Sequence, residues 1–417
     1  MNIDQLKGKT IGAAVSGGLD SCTMTRWLVN NGVKVVCFSA DLAQPDEKDI
    51  NDVRHRMLAS GADEAVIVDA KDALAEAGLK LIQTQSKYEG GYWNTTGIAR
   101  HITVQAILPE LRKRQINILS HGSTGRGNDQ VRFQLATNML NPNIQVYAPW
   151  RDQKFLDRFG GRREMINFCQ QNGLPITATH EKPYSTDANL LGLTHEAGRL
   201  ESLETPASFI TPGMGFHPQD APEDVEYFTV SFDQGIPIEV NGSPVTPLAA
   251  IDQANRIGGR NAVGIGTHVV ENRFVGIKSR GVYESPGMEL IGKCYEYLLQ
   301  LVLDRRARRV FDQVSKQIAE QVYEGYWFAP VTQSLLGSIE PFTKLASGEI
   351  TVSLYKGNVS FHSATGSPHS LYSEKTASME AIGDFNHVDS EGFLTVLGIG
   401  ARALSVAGQT IVNAEEN

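Results

Sequence analysis

The stretch "AAVSGGLDSCTMTRWLVNNG", Ala13 to Gly32, places two glycines, two serines and an aspartate between an apolar run and a helical one. "TIGAAV" reads as a strand. A helix runs on from about Ser21 and stops at Asn31-Gly32, a C-terminal cap. A strand, a glycine turn and a helix start aim backbone N–H groups and the positive end of a helix dipole at one point, which makes an anion site. Gly17 and Gly18 let a phosphate approach closely, and the hydroxyls of Ser16 and Ser21 add donors. Asp20 suits such a site once a cation is present, and a carboxylate there faces Mg²⁺. Taken alone, the loop is equally a tight turn with Ser or Asp as N-cap. No lysine follows the last glycine, so it is not a Walker loop.

Around this loop, residues up to about 150 alternate apolar β-branched runs with helical stretches, the pattern of a parallel α/β sheet covered on both faces. "VKVVCFSA", "EAVIVDA", "INILSHG" and "IQVYAPW" are the further strands. "PDEKDINDVRHRMLASGA" predicts a helix opening on Pro and acids. Beyond about residue 170 the texture changes to a mixed one. "YFTVSFDQGIPIEVNGSPV" and "EITVSLYKGNVSFHSAT" read as hairpins, and "PLAAIDQANRIGGR" as a helix closed by glycines. A long helical segment is expected over roughly Met288 to Tyr323, and "GFLTVLGIGARALSV" as a short strand followed by a C-terminal helix.

The 417 residues carry 38 Lys and Arg against 47 Asp and Glu, a net charge of −9. That balance argues against a dedicated nucleic-acid binder. No apolar run reaches the length of a membrane span, and "MNIDQLKGKTIGAAV" has no signal-peptide h-region, so a cytoplasmic protein is expected. The scattered Cys22, Cys37, Cys169 and Cys294 suit neither a zinc site nor disulfides, and are expected to be buried thiols. No histidine pair has metal-ligand spacing, so no stable protein metal site is expected. "GIGARA" fits a weak dinucleotide fingerprint but lacks a second βα unit and is read as helix entry. "DRRARRVFDQ" is read as a solvated or subunit-facing stripe of a long helix.

A second glycine-rich loop, "SHGSTGRGNDQVRFQ" (Ser120 to Gln134), again lies between a strand and a helix. If its strand neighbours the first, both loops open on the crevice where strand order reverses. Asn128, Asp129 and Arg132 lie on one turn beyond it, placed to read polar groups; Arg132 is also placed to pair with Asp129.

The S-G-G-x-D-S loop resembles the pyrophosphate loop of N-type ATP pyrophosphatases. With "YWNTTGIAR", "HGSTGRGNDQVRF", "KPYSTDANLLGLTHEAGRLE" and "VVENRFVGIKSRGVYESPG", in that order, the chain resembles the argininosuccinate synthase family. The resemblance implies a doubly wound parallel-sheet nucleotide-binding domain of the adenine nucleotide alpha hydrolase type, a larger α+β synthetase domain and a C-terminal oligomerisation helix. The expected boundaries are 1–168, 169–390 and 391–417. It implies ligation of L-citrulline to L-aspartate through a citrullyl-adenylate, with ATP and Mg²⁺, no tightly bound cofactor, and a homotetramer.

Carried over by position, Ala13, Ala14, Val15, Ser16, Gly17, Gly18, Leu19, Asp20, Ser21, Ala40, Gly122 and Asp187 are expected to hold ATP. Thr124, Asn128 and Asp129 fall on aspartate positions. Tyr92, Gly97, Asn128, Arg132, Ser185, Thr194, Glu196, Glu271 and Tyr283 fall on citrulline positions. Asp20 and Asp129 are the expected catalytic carboxylates. The chain departs from the family at Cys22, where a serine is usual, at Arg126, where a lysine is usual, and at Gly97, where a serine is common and Thr95 or Thr96 is the alternative hydroxyl.

Another ATP pyrophosphatase is the competing enzymatic reading. Thiolation of tRNA predicts paired cysteines or a basic face, and glutamine-dependent amidation an N-terminal catalytic cysteine; Asn2 stands there instead. A non-catalytic nucleotide-binding protein predicts erosion of Asp20, Asp129 or Glu271, and all three are present.

Overall fold

In a computed structural model of the chain, residues 1–176, 183–380 and 386–410 are described. The first strands and helices alternate as β1 (Thr10–Ala14), α1 (Leu19–Asn30), β2 (Lys34–Asp41), α2 (Asn51–Ala59), β3 (Glu64–Asp69), α3 (Lys71–Gln83), α4 (Thr95–Lys113), β4 (Ile118–His121), α5 (Asp129–Leu140) and β5 (Gln145–Tyr147). The five strands form one parallel sheet in the order β3-β2-β1-β4-β5. β1 and β4 are therefore neighbours, and strand order reverses between them. In such sheets the crevice outside the strands' carboxyl ends at the reversal is where ligands bind.

Both faces of this sheet are covered, which is why its strands read as nearly unbroken apolar runs. Ile11, Val35 and Cys37 pack with Leu28 of α1 on one face. Phe38 and Leu119 pack with Leu111 of α4 and Phe133 of α5 on the other. Two further helices, α6 (Gln153–Arg158) and α7 (Arg162–Gln171), close the first face.

The following residues build two antiparallel sheets. β6 (Ser185–Asn189) and β7 (Gly192–Glu196) join β11 (Ile265–Asn272) and β12 (Lys278–Glu284) in the order β11-β12-β7-β6. β8 (Glu226–Asp233), β9 (Ile236–Val240) and β10 (Ser243–Pro244) join β13 (Gly348–Tyr355) and β14 (Asn358–Thr365) in the order β10-β9-β8-β13-β14. The helices α8 (Pro247–Arg260), α9 (Pro286–Val302), α10 (Arg305–Glu324) and α11 (Pro330–Thr343) complete this part. A large apolar core of Phe228, Ile291, Leu298 and Phe311 continues into Leu81 of α3 and Ile98 of α4. Backbone contacts accordingly group Met1–His369 as one unit and Ser370–Asn417 as a second, which holds α12 (Glu374–Ala377) and α13 (His387–Val406).

Three expectations are corrected. The helix expected to open at Pro45 begins at Asn51, because Asp49 Oδ1 accepts the Asn51 N–H at 2.9 Å and turns the chain first. The single helix expected over Met288–Tyr323 is two, divided where Asp304 leaves the helical backbone and caps α10 by accepting from the N–H groups of Arg306 and Ala307. "GFLTVLG" is not a strand but the interior of α13, whose first turn Asn386 caps at Val388. Among the described residues no strand follows Thr365 to pair with that run. Residues 411–417 of the expected C-terminal segment, and Lys182 of the fourth sequence block, lie outside the described residues.

Candidate active site

The loop after β1 leaves the first turn of α1 without a side-chain cap: Gly18 stands at its N-cap. The helix-start donors are thus free for an anion. Ser21 Oγ accepts the Ser16 N–H at 3.0 Å and lies 3.4 Å from Ser16 Oγ, so the two hydroxyls share one rim. Gly17 has φ +77°, and a Cβ there would lie 2.9 Å from Arg56 Nη2 and 3.0 Å from Val53 Cγ1. Ala13, Ala14, Val15 and Leu19 are buried under the loop, and Ala40 is the last residue but one of β2, its carbonyl accepting from Gln44 Nε2 at 2.9 Å.

Asp20 lies at the mouth of α1, where Trp150 Nε1 donates to its Oδ1 at 3.2 Å. Burial raises its pKa, opposed by the Trp150 hydrogen bond and the charge of Arg162. A Cβ on Gly122 would lie 3.4 Å from Asp20 Cβ, so the second glycine loop rests on the first. Cys22 points away from this rim. It is fully buried, with Sγ 3.7 Å from the Gly17 carbonyl, so a thiol in place of serine alters the loop's backing and not its anion-facing donors.

The second loop leads to a cluster of charges. Asp129, the first residue of α5, takes Arg100 Nε at 2.9 Å on one oxygen and Arg132 Nη1 at 2.8 Å on the other. The remaining arm of Arg100 holds Asp187 on β6. Arg132 also donates from Nε to the Tyr323 carbonyl at 3.0 Å, while its Nη2 is buried without a hydrogen-bond partner among the described residues. Asn128 Oδ1 accepts the Phe274 N–H at 3.0 Å. Burial favours a protonated Asp129, but the two guanidiniums outweigh it and hold the carboxyl at about 2.

The antiparallel strands β6, β7 and β12 supply the opposite wall. Asp187, Thr194 and Tyr283 are direct cross-strand neighbours, and Ser185 pairs with Glu196 one step further. Thr194 Oγ1 lies 2.9 Å from Thr96 Oγ1, and the Thr96 N–H donates to the Tyr92 hydroxyl at 3.0 Å. Tyr92 stacks on Tyr283 with ring centroids 4.1 Å apart, and Tyr88 on Tyr323 at 3.6 Å. The Tyr323 hydroxyl donates to Glu271, which is buried, and burial raises the Glu271 pKa.

Glu196 pairs with Arg273 at 3.2 Å. Desolvation in the cleft, with the charges of Asp129, Glu271 and Asp187 added, outweighs Arg273 and pushes its carboxyl up to about 7, although 47% of the side chain still meets solvent.

Two groups thus form. Ala13 to Ser21, Ala40 and Gly122 gather at the carboxyl ends of β1, β2 and β4. Tyr92, Gly97, Asn128, Asp129, Arg132, Asp187, Thr194, Glu196, Glu271 and Tyr283 gather around the Asp129 cluster, with Ser185 at its strand edge. Thr124 is exposed on the connecting loop, as is Arg126, whose carbonyl accepts from Arg273 Nη1 at 3.4 Å. Of the hydroxyl alternatives near Gly97, Thr96 faces the cluster through Thr194, whereas Thr95 packs against Gly192; a Cβ on Gly97 would lie 3.4 Å from Arg132 Cζ. Arg100, Arg273 and Tyr323 were not singled out from sequence. The first two stand inside the blocks "YWNTTGIAR" and "VVENRF", where an arginine beside apolar residues gives no sign of its partner.

Comparison with known proteins bears on this pair of sites. Family models for the "Arginosuccinate synthase N-terminal HUP domain" and the "Arginosuccinate synthase C-terminal domain" match residues 10–175 and 184–404. The chain is 42% identical to "Argininosuccinate synthase" of Rhodopirellula baltica, over 93% of this chain and 96% of that one. It is 36% identical to the protein of that name from Thermotoga sp. strain RQ2, over 92% of this chain and 94% of the other.

Proposed function

We infer that this chain, which belongs to the argininosuccinate synthase family, joins L-citrulline to L-aspartate at the expense of ATP, releasing AMP and pyrophosphate. The observation that carries the reading is that an uncapped phosphate-type loop and a carboxylate–guanidinium cluster share one sheet edge. The first suits ATP and the second suits two zwitterionic amino acids, whose ammonium and carboxylate groups each need an opposite partner.

A ureido carbon is a poor electrophile because its nitrogen lone pairs delocalise into the carbonyl. The reaction therefore starts when the citrulline ureido oxygen attacks the α-phosphorus of ATP, forming an O–P bond as the bond to pyrophosphate breaks. The aspartate amine then attacks the activated carbon, a C–N bond forms, AMP departs with the former ureido oxygen, and the amine loses a proton. Holding three reactants in line supplies much of the rate. Ser16 to Ser21 and the N-terminus of α1 stabilise charge on the departing pyrophosphate. The open helix donors and the Asp20 carboxylate at one mouth fit a phosphate accompanied by a divalent cation. Mg²⁺ bound there with ATP neutralises phosphate charge.

Asp187 and Gly122 border the nucleotide. Thr124, Asn128 and Asp129 receive aspartate. Tyr92, Gly97 with Thr96, Asn128, Arg132, Ser185, Thr194, Glu196, Glu271 and Tyr283 receive citrulline, with Glu196 and Glu271 offering negative charge to its ammonium. We assign residues 1–168 to the nucleotide part, 169–390 to the synthetase part and 391–417 to oligomerisation. α13 has no buried residue and exposes Phe393, Leu394, Val396, Leu397 and Ile399, which supports a homotetramer held by this segment. No helix among the described residues is long and apolar enough to cross a membrane, in keeping with a cytoplasmic enzyme.

Purified protein given ATP, Mg²⁺, citrulline and aspartate is expected to release pyrophosphate, and to stop when citrulline is left out. No release, or release indifferent to citrulline, overturns the assignment.

A further inference from the structure

The loop joining β2 to α2 and the helix α2 itself belong to none of the groups described so far, yet α2 sends a charged side chain to the phosphate loop. Arg56 is only 16% exposed, and its guanidinium lies against Gly17: a Cβ on that glycine would meet Arg56 Nη2 at 2.9 Å and Nε at 3.0 Å. Nη2 also donates to Glu47 Oε1 at 2.5 Å. Nε is buried and has no hydrogen-bond partner among the described residues. A buried guanidinium N–H left unpaired beside a loop built for an anion is costly unless something negative arrives there.

We propose that Arg56 is a positioning residue of the pyrophosphate site, holding the Gly17 turn from behind and adding a positive field to the loop, with Glu47 as the counter-charge that moderates it. The assignment rests on the reading of the loop as the ATP pyrophosphate site. Glu47 lies in the segment 42–50 that follows β2, so the guanidinium also ties this segment to the phosphate loop. When a phosphate binds, the guanidinium faces two negative partners, and Glu47 competes with the ligand for its charge.

This competition gives the pair a signature that a plain structural ion pair lacks. Removing either partner of a structural tie has one effect. Here the two removals act in opposite directions on anion binding: Arg56→Gln takes a positive charge from behind the loop, whereas Glu47→Gln takes away a competing negative one. At an effective dielectric constant of about 20, a unit charge roughly 12 Å from a phosphate charge changes binding by about tenfold.

The test is equilibrium binding of inorganic pyrophosphate with Mg²⁺ to the whole protein, by calorimetry, for the wild type, R56Q, R56K and E47Q, alongside each melting temperature. The expected result is about tenfold weaker binding for R56Q, binding within about twofold of wild type for R56K, and equal or tighter binding for E47Q. R56Q binding like the wild type, R56K binding as poorly as R56Q, or R56Q and E47Q weakening alike would each overturn the proposal. If R56Q fails to fold, R56K and E47Q still decide it. A wild-type protein that does not bind pyrophosphate overturns the reading of the loop itself, a result distinct from failure of the Arg56 assignment.

Discussion

Arg100 Nε lies 2.9 Å from Asp129 Oδ2, which fixes the first residue of α5 to the second turn of α4 while the other arm of the same guanidinium holds Asp187 on β6. One side chain therefore sets the spacing between the glycine loop after β4 and the antiparallel wall opposite. Arg100→Leu is expected to leave Asp187 without its guanidinium partner and Asp129 with Arg132 alone. About a quarter of the Arg100 and Asp129 side chains meets water, so the loss of unfolding free energy should be about 2 kcal/mol, below that for a fully buried pair. Turnover should fall about a hundredfold through misplacement of Asp129. Denaturant unfolding and kcat/KM for aspartate check both; unchanged kinetics would remove Arg100 from the site.

Glu196 makes the response to citrulline depend on pH. Its carboxyl is raised to about 7 by desolvation, with only Arg273 opposing among the named charges, so it gains negative charge as pH rises through that value. If it meets the citrulline ammonium, kcat/KM for citrulline climbs with pH and levels off above about 7, and Glu196→Gln gives a low, flat profile. The folded carboxyl titrates above its unfolded value of about 4.3. Its contribution to stability is thus present below pH 4 or so and lost as pH rises through about 7. E196Q should therefore be the more stable protein at pH 8, and a wild-type profile in E196Q would contradict the assignment.

Asp20→Ala separates chemistry from folding. The carboxylate is desolvated, which raises its pKa, and its side-chain hydrogen bond is a long one from Trp150; its removal relieves a burial cost. Turnover should be lost while the melting temperature stays within a degree or two of wild type. A collapsed fold with residual turnover proportional to the folded fraction would make Asp20 a structural residue.

The two glycines of the phosphate loop should fail differently when replaced by alanine. Gly17 combines φ +77° with Arg56 and Val53 at about 3 Å from a Cβ, so Gly17→Ala should lower stability by about 1–2 kcal/mol. Among the described residues a Cβ on Gly18 meets only Ser16 Oγ, at 3.6 Å. Gly18→Ala should keep its melting temperature and lose affinity for ATP, because the methyl group occupies the open cradle. Equal melting curves for both variants would contradict this division.

The parallel sheet was legible in the sequence because its strands are buried on both faces and stand as unbroken apolar runs between turn signals. β1 and β4 are neighbours, which is the condition under which the two glycine loops open on one crevice. Long-range pairing was not legible: nothing near Arg100 announces Asp129 and Asp187, and nothing near Tyr323 announces Glu271. "GFLTVLG" misled because a β-branched apolar run suits strand and helix alike, and the cap at Asn386 decided for the helix. The four cysteines are buried and free, as their spacing indicated. Cys22 could be recognised as a departure but not interpreted until its thiol was seen facing the Gly17 carbonyl from below.

If the citrulline ureido oxygen is adenylated before the C–N bond forms, that oxygen leaves with AMP, and isotopic labelling follows it. Citrulline carrying ¹⁸O in the ureido group is incubated with ATP, Mg²⁺ and aspartate, and the products are weighed by mass spectrometry. The label is expected in AMP, with none in pyrophosphate and none in the amino-acid product. Unlabelled AMP, or label carried into pyrophosphate, would contradict adenylation of the ureido oxygen.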